Sequence, residues 1–322
     1  MRIDLEENTS LEELQKIEFW ENGEILFSSE PAGEGNMNLV LRIKTNLRSV
    51  ILKQSKPYVR KYPQIEAPIN RIKIERAYYF LVEDEPILKS FSPKVLAYFP
   101  ESYLLILEDL GLGSDFSFLY SGKNTIDQGT LKDLADYLNT LHGLQIEDFP
   151  DNSSMKILNH EHIFNFPFAE ENGFDLDSIQ PGLQEISLDF KRDKELKDAL
   201  TKLGDRYLSD GNTLLQGDFY PGSWLKMEDG LKIIDPEFSF MGDKEFDLGV
   251  VFAHFELAQQ PESLMEKFLK EYNHPYSTAL LNQYQGAEIL RRLIGIAQLP
   301  VSLSLAQKES LLQKARKLVL AQ

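Results

Sequence analysis

Residues 214–223 read LLQGDFYPGS, and residues 233–238 read IIDPEF. The first stretch predicts a short apolar strand followed directly by a loop that carries Asp218. The second places Asp235 and Glu237 at the end of the next strand pair, which can fold back against that loop. Three carboxylates that meet in this way suit a general base and a metal site for moving a phosphoryl group. No other part of the sequence narrows the chemistry as much.

Composition limits the classes of protein and partner. The chain has 322 residues, 42% of them hydrophobic, which is enough for two domains or one large two-lobed domain. It has no cysteine, which excludes disulfides and thiolate metal sites and fits a reducing cytoplasm. The formal net charge of −17 argues against nucleic acid or an anionic membrane as a partner. Residues 1–10 do not read as a signal peptide, and no apolar run approaches the length of a membrane span. We therefore expect a cytoplasmic protein with a small-molecule substrate.

The hydrophobic pattern of the first third of the chain predicts a sheet. Residues 25–53 alternate apolar and polar side chains, which indicates three antiparallel strands, with a tight loop over 31–36 between the first two. A helix begins near Pro68, and residues 95–99 and 103–107 are interpreted as two more strands.

Helical spacing of apolar residues dominates the rest of the chain, except over residues 145–190, where no pattern is evident. The predicted fold class is therefore α+β. An N-terminal antiparallel sheet lobe with a helix spans 1–108 and binds a nucleotide. A larger, mainly helical C-terminal lobe spans 109–322 and carries the catalytic and substrate-binding groups, with a cleft between the lobes.

A glycine-containing hairpin loop and a lysine one strand later indicate a phosphate site. The loop over 33–38 offers backbone N–H groups, and its glycines permit close approach to a phosphate. Lys53 ends the third predicted strand, and a carboxylate must orient it. Glu75 on the following helix is the candidate, with Glu66 as the rival. A plain hairpin and a solvated lysine are the alternatives. The predicted nucleotide-binding residues here are Gly33, Gly35, Asn36, Asn38, Lys53 and Glu75.

Carboxylates supply the remaining chemistry. Asp218 is the predicted base, which accepts a hydrogen bond from a substrate hydroxyl and holds that oxygen in line with the γ-phosphorus. Asp235 and Glu237 are two residues apart, so an extended strand end puts both on one side. Such oxygen ligands suit Mg²⁺, and Ser223 can add a hydroxyl oxygen. A turn or cap carboxylate is the alternative for each acid taken alone.

These residues resemble the pattern of the aminoglycoside-phosphotransferase and choline-kinase group, which are relatives of the protein kinases, and that of the 5-methylthioribose kinases in particular. The resemblance covers residues 25–80 and 213–298, with a brief match near residue 107. The matching motifs are GEGNMNLV at 33–40, LKQSKPYVR at 52–60, GDFYPGS at 217–223, IDPEFSF at 234–240, FDLG at 246–249 and LRRLIGIA at 290–297.

The resemblance implies a protein-kinase-like two-lobed fold and ATP-dependent phosphorylation of a hydroxyl on a small molecule, with ATP and Mg²⁺ as cofactors. It gives Asp218 the base position and gives Asp235 and Glu237 the metal positions. It also implies that Glu108 and Leu110 belong to the adenine-binding hinge.

The resemblance further implies that Arg291 and Arg292 act as catalytic cations near the substrate and the transferred phosphate. Adjacent residues on a regular helix point about 100° apart, so we expect at most one of the two to face the cleft. The family has histidine where this chain has Gln216, Tyr220 and Gln298. These departures leave the orientation of the catalytic loop and the identity of the acceptor open.

Methylthioribose or a related sugar is the predicted acceptor, followed by an amino sugar or amino alcohol. A nucleotide-binding regulator without turnover is the second hypothesis, and a metal-dependent phosphohydrolase is the third. The sequence leaves the oligomeric state open, with a homodimer as one option. His142 is interpreted as a structural hydrogen-bonding residue. His160 and His162 lack a third metal ligand and are not predicted to bind one.

Overall fold

The computed structural model describes residues 3–33, 35–228 and 230–321. The chain divides into two compact units. The first unit contains Met1–Ser114 and Met227–Phe238, and the second contains Asp115–Lys226 and Ser239–Gln322. Asp235 and Glu237 therefore belong to the same unit as Lys53, although they lie far from it in sequence.

An antiparallel sheet forms the centre of the first unit, as the alternating pattern predicts. The strands of this region are β1 (Leu26–Pro31), β2 (Leu39–Thr45), β3 (Ser49–Gln54), β4 (Tyr58–Val59), β5 (Tyr62–Glu66), β6 (Val95–Phe99), β7 (Leu104–Glu108) and β8 (Ser114–Asp115). Five of them pair in the order β1-β2-β3-β7-β6, and β4 pairs with β5. Lys53 of β3 lies opposite Val40 of β2 and Leu105 of β7, so it sits on the middle strand of the sheet.

Period-two spacing places the apolar side chains of the sheet in one core. Leu41 and Ile43 of β2, and Val50 of β3, are fully buried there, together with Ile106 of β7. The helices of this unit are α1 (Leu11–Leu14), α2 (Arg71–Val82) and α3 (Pro86–Phe91). A capping box made by Ser10 and Glu13 begins α1.

Helices make up most of the second unit, as the apolar spacing predicts. They are α4 (Gln128–Gly143), α5 (Ser153–His160), α6 (Leu183–Lys191), α7 (Lys194–Leu208), α8 (Lys244–Leu257), α9 (Ser263–Glu271), α10 (Thr278–Ile294) and α11 (Leu305–Leu320). α10 packs against both α8 and α11. Almost every residue of α8 is buried, which makes α8 and α10 the centre of this unit.

Four short strands complete the fold. They are β9 (Thr213–Leu215), β10 (Trp224–Met227), β11 (Gly230–Ile233) and β12 (Phe240–Gly242). β9 pairs with β12 within the second unit, and this pairing fixes the start of the loop that carries Asp218. Glu34, in the predicted glycine loop, and Asp229 lie outside the described residues.

Two stretches differ from the predicted pattern. Residues 145–190 contain α5, a π-helical turn at Glu161–Asn165, two 3₁₀ turns and α6, all too short for a helical period to show in the sequence. The helix predicted over 280–299 ends at Ile294, because Gly295 is extended and closes the helix with a bond from its N–H to Arg291 O. In the described part of the chain, no helix combines the length and apolarity of a membrane span.

Candidate active site

The ammonium of Lys53 is the centre of a buried ion cluster in the first unit. Its Nζ donates to Glu75 Oε1 at 2.9 Å and to Asp235 Oδ1 at 2.5 Å, and it lies 2.8 Å from Glu75 Oε2. Only 3% of Lys53 is exposed, and Glu75 is fully buried. The predicted pairing of Lys53 with Glu75, on the first helix after the sheet, is confirmed by these contacts.

The two carboxylates keep this lysine charged. Burial by itself lowers the pKa of Lys53, but the charges of Asp235 and Glu75 outweigh burial and raise that pKa above its ordinary value. Burial also raises the pKa of Glu75 to about 7, although the ammonium of Lys53 opposes this shift. The structure therefore holds a fixed positive charge at the end of β3, as contact with a phosphate requires.

The chain turns sharply after β11, and this turn separates Asp235 from Glu237. Asp235 has a φ of 59°, in the left-handed region, and Pro236–Phe238 form a 3₁₀ turn. The prediction that both carboxylates lie on one side of an extended strand end is wrong, because the strand ends at Ile233. Asp235 reaches Lys53, whereas Glu237 turns into the protein and is 4% exposed.

Arg71, at the first turn of α2, binds Glu237 and was not predicted from the sequence. Its Nε lies 3.0 Å from Glu237 Oε2 and donates to Asn38 Oδ1 at 2.9 Å. Its other nitrogens donate to the backbone oxygens of Met37 and Lys56, at 2.7 and 2.8 Å. Arg71 is fully buried. The only sequence signal is its position four residues before Glu75, on the same face of the helix.

The glycine loop between β1 and β2 is tied to this cluster through Asn38. The Asn38 amide donates to Glu237 Oε2 at 2.9 Å, and its oxygen accepts from Arg71 and from Ser55 Oγ. Gly33 has a φ of +82°, and a Cβ added at Gly35 would lie 2.6 Å from Asn38 O, so this turn requires both glycines. Asn36 accepts a backbone bond from Lys61 N. The loop is thus built on residues that the sequence singled out, and phosphate binding by Gly33, Gly35, Asn36 and Asn38 stays a prediction.

The predicted hinge begins at Glu108, the last residue of β7, and hydrogen bonds hold both Glu108 and Asp109. Glu108 exchanges two bonds with Lys94, from the Glu108 N–H to Lys94 O and from the Lys94 N–H to Glu108 Oε1, both at 2.9 Å. Asp109 accepts two bonds from the Arg42 guanidinium and a third from Ser49 Oγ. Leu110 is half-buried. Contact of Glu108 and Leu110 with a nucleotide stays a prediction.

In the second unit, a buried carboxylate shapes the loop after β9. Asp247 of α8 accepts bonds from the N–H groups of Gln216 and Gly217, at 2.8 and 3.0 Å. His142 Nε2 lies 3.2 Å from Asp247, and His142 Nδ1 bonds to the hydroxyl of Tyr272. This arrangement confirms that His142 is structural. Gln216 Oε1 accepts a bond from Asp218 N at 2.7 Å, so glutamine supports the loop here without a histidine.

Asp218 lies beside both arginines of the pair on α10. Arg292 Nη2 is 3.4 Å from Asp218 Oδ1, and Arg291 Nη2 is 4.0 Å from the same oxygen. Both guanidinium groups therefore lie near this carboxylate, although adjacent residues of a regular helix point about 100° apart. The expectation that at most one of the two faces a cleft stays a prediction. Glu288, one turn earlier, lies 2.6 Å from Arg292 Nε and 3.4 Å from Arg291 Nη1 and compensates both charges.

The Ser223 side chain makes a hydrogen bond within the second unit. Its hydroxyl donates to the backbone oxygen of Asp218 at 2.8 Å, and the residue is 2% exposed. It therefore closes the loop that carries Asp218, and its role as a metal ligand stays a prediction. Among residues 3–33, 35–228 and 230–321, no group of three or more His, Cys, Asp or Glu side chains forms a metal-binding cluster.

The chain belongs to the phosphotransferase enzyme family, whose sequence model matches residues 29–285. It is similar to curated methylthioribose kinases. The enzyme of Exiguobacterium sibiricum is 29% identical over 255 residues, which cover 73% of this chain and 62% of that enzyme. The enzyme of Geobacillus sp. is 26% identical over 340 positions, covering 88% of this chain and 82% of that enzyme. The chain thus spans about three fifths of the Exiguobacterium enzyme.

Solved structures show the same fold at low sequence identity. The choline kinase LicA from Streptococcus pneumoniae superimposes with a TM-score of 0.55 at 18% identity, covering 92% of this chain and 94% of that protein. A spectinomycin phosphotransferase, solved with ADP and spectinomycin, gives a TM-score of 0.54 at 14% identity, with 93% and 94% covered. These similarities confirm the predicted α+β, kinase-like fold.

Proposed function

We propose that this member of the phosphotransferase enzyme family transfers the γ-phosphate of ATP to a hydroxyl group of a small sugar, with methylthioribose as the first candidate acceptor. The observation that supports this most is the buried cluster in which Lys53 contacts both Glu75 and Asp235. A buried lysine that is kept charged by two carboxylates, one buried and one partly exposed, suits the binding of a triphosphate.

Lys53 would bind the phosphates of ATP, and Asp235 would hold Mg²⁺. The Asp235 side chain is 48% exposed and offers carboxylate oxygens, the ligands that Mg²⁺ prefers. Glu237 fits less well, because its Oε2 is bound by both Asn38 and Arg71. Bound Mg²⁺ would neutralise charge on the β- and γ-phosphates. One protein carboxylate is sufficient, since Mg²⁺ commonly takes its other ligands from phosphates and water.

Asp218 would act on the acceptor. Its carboxylate would accept a hydrogen bond from the attacking hydroxyl and take its proton as the new P–O bond forms and the bond from the γ-phosphorus to the departing ADP breaks. Arg291 and Arg292 lie at the same carboxylate, and their guanidinium groups would offset the negative charge that develops on the transferred phosphoryl group. Transfer requires these groups and those around Lys53 to act on the same phosphate.

The choice of acceptor follows the relatives rather than the geometry. Relatives that align over much of the chain are named methylthioribose kinases, which favours a sugar over an amino alcohol. The regulator hypothesis is less favoured, because Lys53, Asp218 and Asp235 are all retained. Gln216, one of the three positions where the family has histidine, supports the loop that carries Asp218 through its bond to Asp218 N.

An assay of ADP release with methylthioribose and a panel of other sugars, amino sugars and amino alcohols tests the proposal. The product is identified by ³¹P NMR as a phosphate ester. Asp218→Asn should lower kcat by about 100-fold or more, whereas Asp205→Asn, at an exposed position on α7, should leave it unchanged. ATP binding without turnover of any compound would favour a regulator, and release of inorganic phosphate without an acceptor would favour a phosphohydrolase.

A further inference from the structure

A chain of hydrogen bonds between fully buried side chains runs through the second unit toward Asp218. The hydroxyl of Tyr120 lies 2.6 Å from His254 Nδ1, and His254 Nε2 lies 3.1 Å from Glu288 Oε1. Tyr120 and His254 are both 0% exposed, and Glu288 is 2% exposed. The three residues come from a 3₁₀ turn at Phe116–Ser121, from α8 and from α10, so the fold brings them together from distant parts of the sequence.

The direction of these bonds follows from the chemistry of the groups. Glu288 remains ionised, because the two arginines hold its pKa well below its ordinary value in spite of burial, and an ionised carboxylate can only accept. His254 is neutral, since burial lowers its pKa to about 4, so its single ring proton lies on Nε2, and this N–H donates a hydrogen bond to Glu288 Oε1. Nδ1 then has a lone pair, and the Tyr120 hydroxyl donates to it. Each member of the chain thus has one protonation state and one orientation.

This series of hydrogen bonds ends at Arg292, which contacts Asp218. Glu288 Oε1, the oxygen that accepts from His254, also accepts from Arg292 Nε at 2.6 Å. The Arg292 guanidinium lies 4.8 Å from the centre of the Tyr220 ring, and that ring lies 5.2 Å from the ring of His254. Arg292 is therefore held at its Nε and on one face, while its Nη2 points to Asp218 Oδ1 at 3.4 Å.

We propose that Tyr120 and His254 are positioning residues, which act through Glu288 to hold Arg292 in place against Asp218. The inference rests on the proposed function, in which Asp218 is the base. A guanidinium that must offset transition-state charge gains from being fixed before the reaction, because no reorientation is then needed as that charge develops. A hydrophobic residue at position 254 would fill the space but would remove the bond from His254 Nε2, so that only the two arginines would fix the Glu288 carboxylate.

Three variants separate positioning from packing. Tyr120→Phe removes only the first bond and should lower kcat about fivefold. His254→Leu removes the donor to Glu288 and should lower kcat about tenfold or more. His254→Gln keeps an N–H donor and should recover kcat to within about threefold of the unaltered chain. KM for ATP should stay within about twofold in all three, because these residues are not among the proposed nucleotide-binding groups.

Tyr284→Phe is the matched control. It also removes a buried tyrosine hydroxyl, one that donates to Asp243 Oδ2 at 3.2 Å on a separate network. This variant should keep kcat. If His254→Leu keeps kcat within about twofold, or if His254→Gln and His254→Leu lose it equally, the positioning role is overturned, whatever happens to the melting temperature.

An NMR measurement tests the same inference without any acceptor. In ¹⁵N-labelled protein at pH 7, His254 should show a protonated Nε2 and an unprotonated Nδ1. The Arg292 Nε–H should exchange with water about tenfold faster in His254→Leu than in the unaltered chain or in Tyr284→Phe. A protonated Nδ1, or unchanged exchange, would overturn the proposal. If the unaltered protein phosphorylates no compound, the proposed function fails. The exchange measurement still decides whether the hydrogen bonds from Tyr120 through His254 and Glu288 hold Arg292 in place.

Discussion

At the scale of single residues, His254 is a neutral imidazole that the folded protein cannot readily protonate. Burial, together with the nearby charges of Arg292 and Arg291, lowers its pKa from the ordinary value of 6.5 to about 4, in spite of the bond to Glu288. The unfolded chain exposes this group to water. Between pH 6.5 and pH 4 the unfolded state therefore binds a proton that the folded state does not bind, and folding becomes less favourable as the pH falls.

This shift predicts a pH-dependent difference between the unaltered chain and His254→Gln. Between pH 7.5 and pH 4.5, the free energy of unfolding of the unaltered chain should fall by about 2–3 kcal/mol more than that of the variant, which lacks the titrating group. Urea denaturation at both pH values measures the difference. Above pH 7 the two proteins should change in parallel. Equal losses on acidification would show that His254 titrates normally in the folded protein.

Residues whose partners are close in the predicted pattern could be found from the sequence, and residues whose partners are distant could not. Lys53 and Glu75 were paired correctly, because a strand followed by a helix leaves few carboxylates within reach. Arg71, Glu288 and His254 were missed. Each is a polar residue inside a helix, where the sequence alone cannot distinguish a buried group from a solvated one.

At the scale of elements, the ion pair between Arg71 and Glu237 joins α2 to the turn after β11. Arg71 is fully buried and contacts Glu237, Asn38 and three backbone oxygens, those of Met37, Lys56 and Pro68. Arg71→Met should lower the free energy of unfolding by about 3–5 kcal/mol, because it leaves the buried carboxylate of Glu237 without its cation. Urea denaturation measures this loss.

Arg76→Met is the control for this prediction. Arg76 lies on the same helix but is exposed, with its guanidinium 5.1 Å from the Tyr98 ring. Its replacement should cost less than about 1 kcal/mol. The double variant Arg71→Met with Glu237→Gln should be more stable than Arg71→Met alone, since it removes the unpaired charge. A similar loss in Arg71→Met and Arg76→Met would mean that the buried ion pair contributes little to holding α2.

The path of the chain after β11 shows what element patterns miss. An apolar strand followed by Asp235-Pro236-Glu237 was interpreted as an extended end, and the period of two then placed both acids together. The left-handed φ of Asp235 breaks that period within one residue. The contacts of Asp235 with Lys53 and of Glu237 with Arg71 accompany this conformation, and both partners lie more than 150 residues earlier in the sequence.

At the scale of the whole molecule, hydrophobic periodicity was sufficient to predict an antiparallel sheet followed by helices, because the strands of the sheet and the long helices carry strong patterns. It gave no sign that residues 227–238 return to the unit of the sheet. The buried polar contacts that this segment makes there, those of Glu237 with Arg71 and Asn38, leave no period in the sequence.

The proposed function predicts that Mg²⁺ and ATP together stabilise the folded protein. A ligand that binds only the folded state at 100 times its Kd adds about 2.7 kcal/mol to the free energy of unfolding. For a protein of this size, the midpoint of thermal unfolding should therefore rise by several degrees with Mg·ATP. Mg²⁺ alone should have little effect, because no cluster of three or more metal-ligating side chains is present in the described chain.

Two lysine variants show whether this stabilisation comes from the predicted phosphate site. Lys53→Met should abolish the rise with Mg·ATP, because it removes the cation at the end of β3. Lys44→Met, at an exposed pair with Glu30 on neighbouring strands, should retain it. Calorimetric titration of each folded variant gives the affinity directly. A rise that persists in Lys53→Met, or that Mg²⁺ produces without ATP, would place nucleotide or metal binding elsewhere and would remove the main support for a kinase.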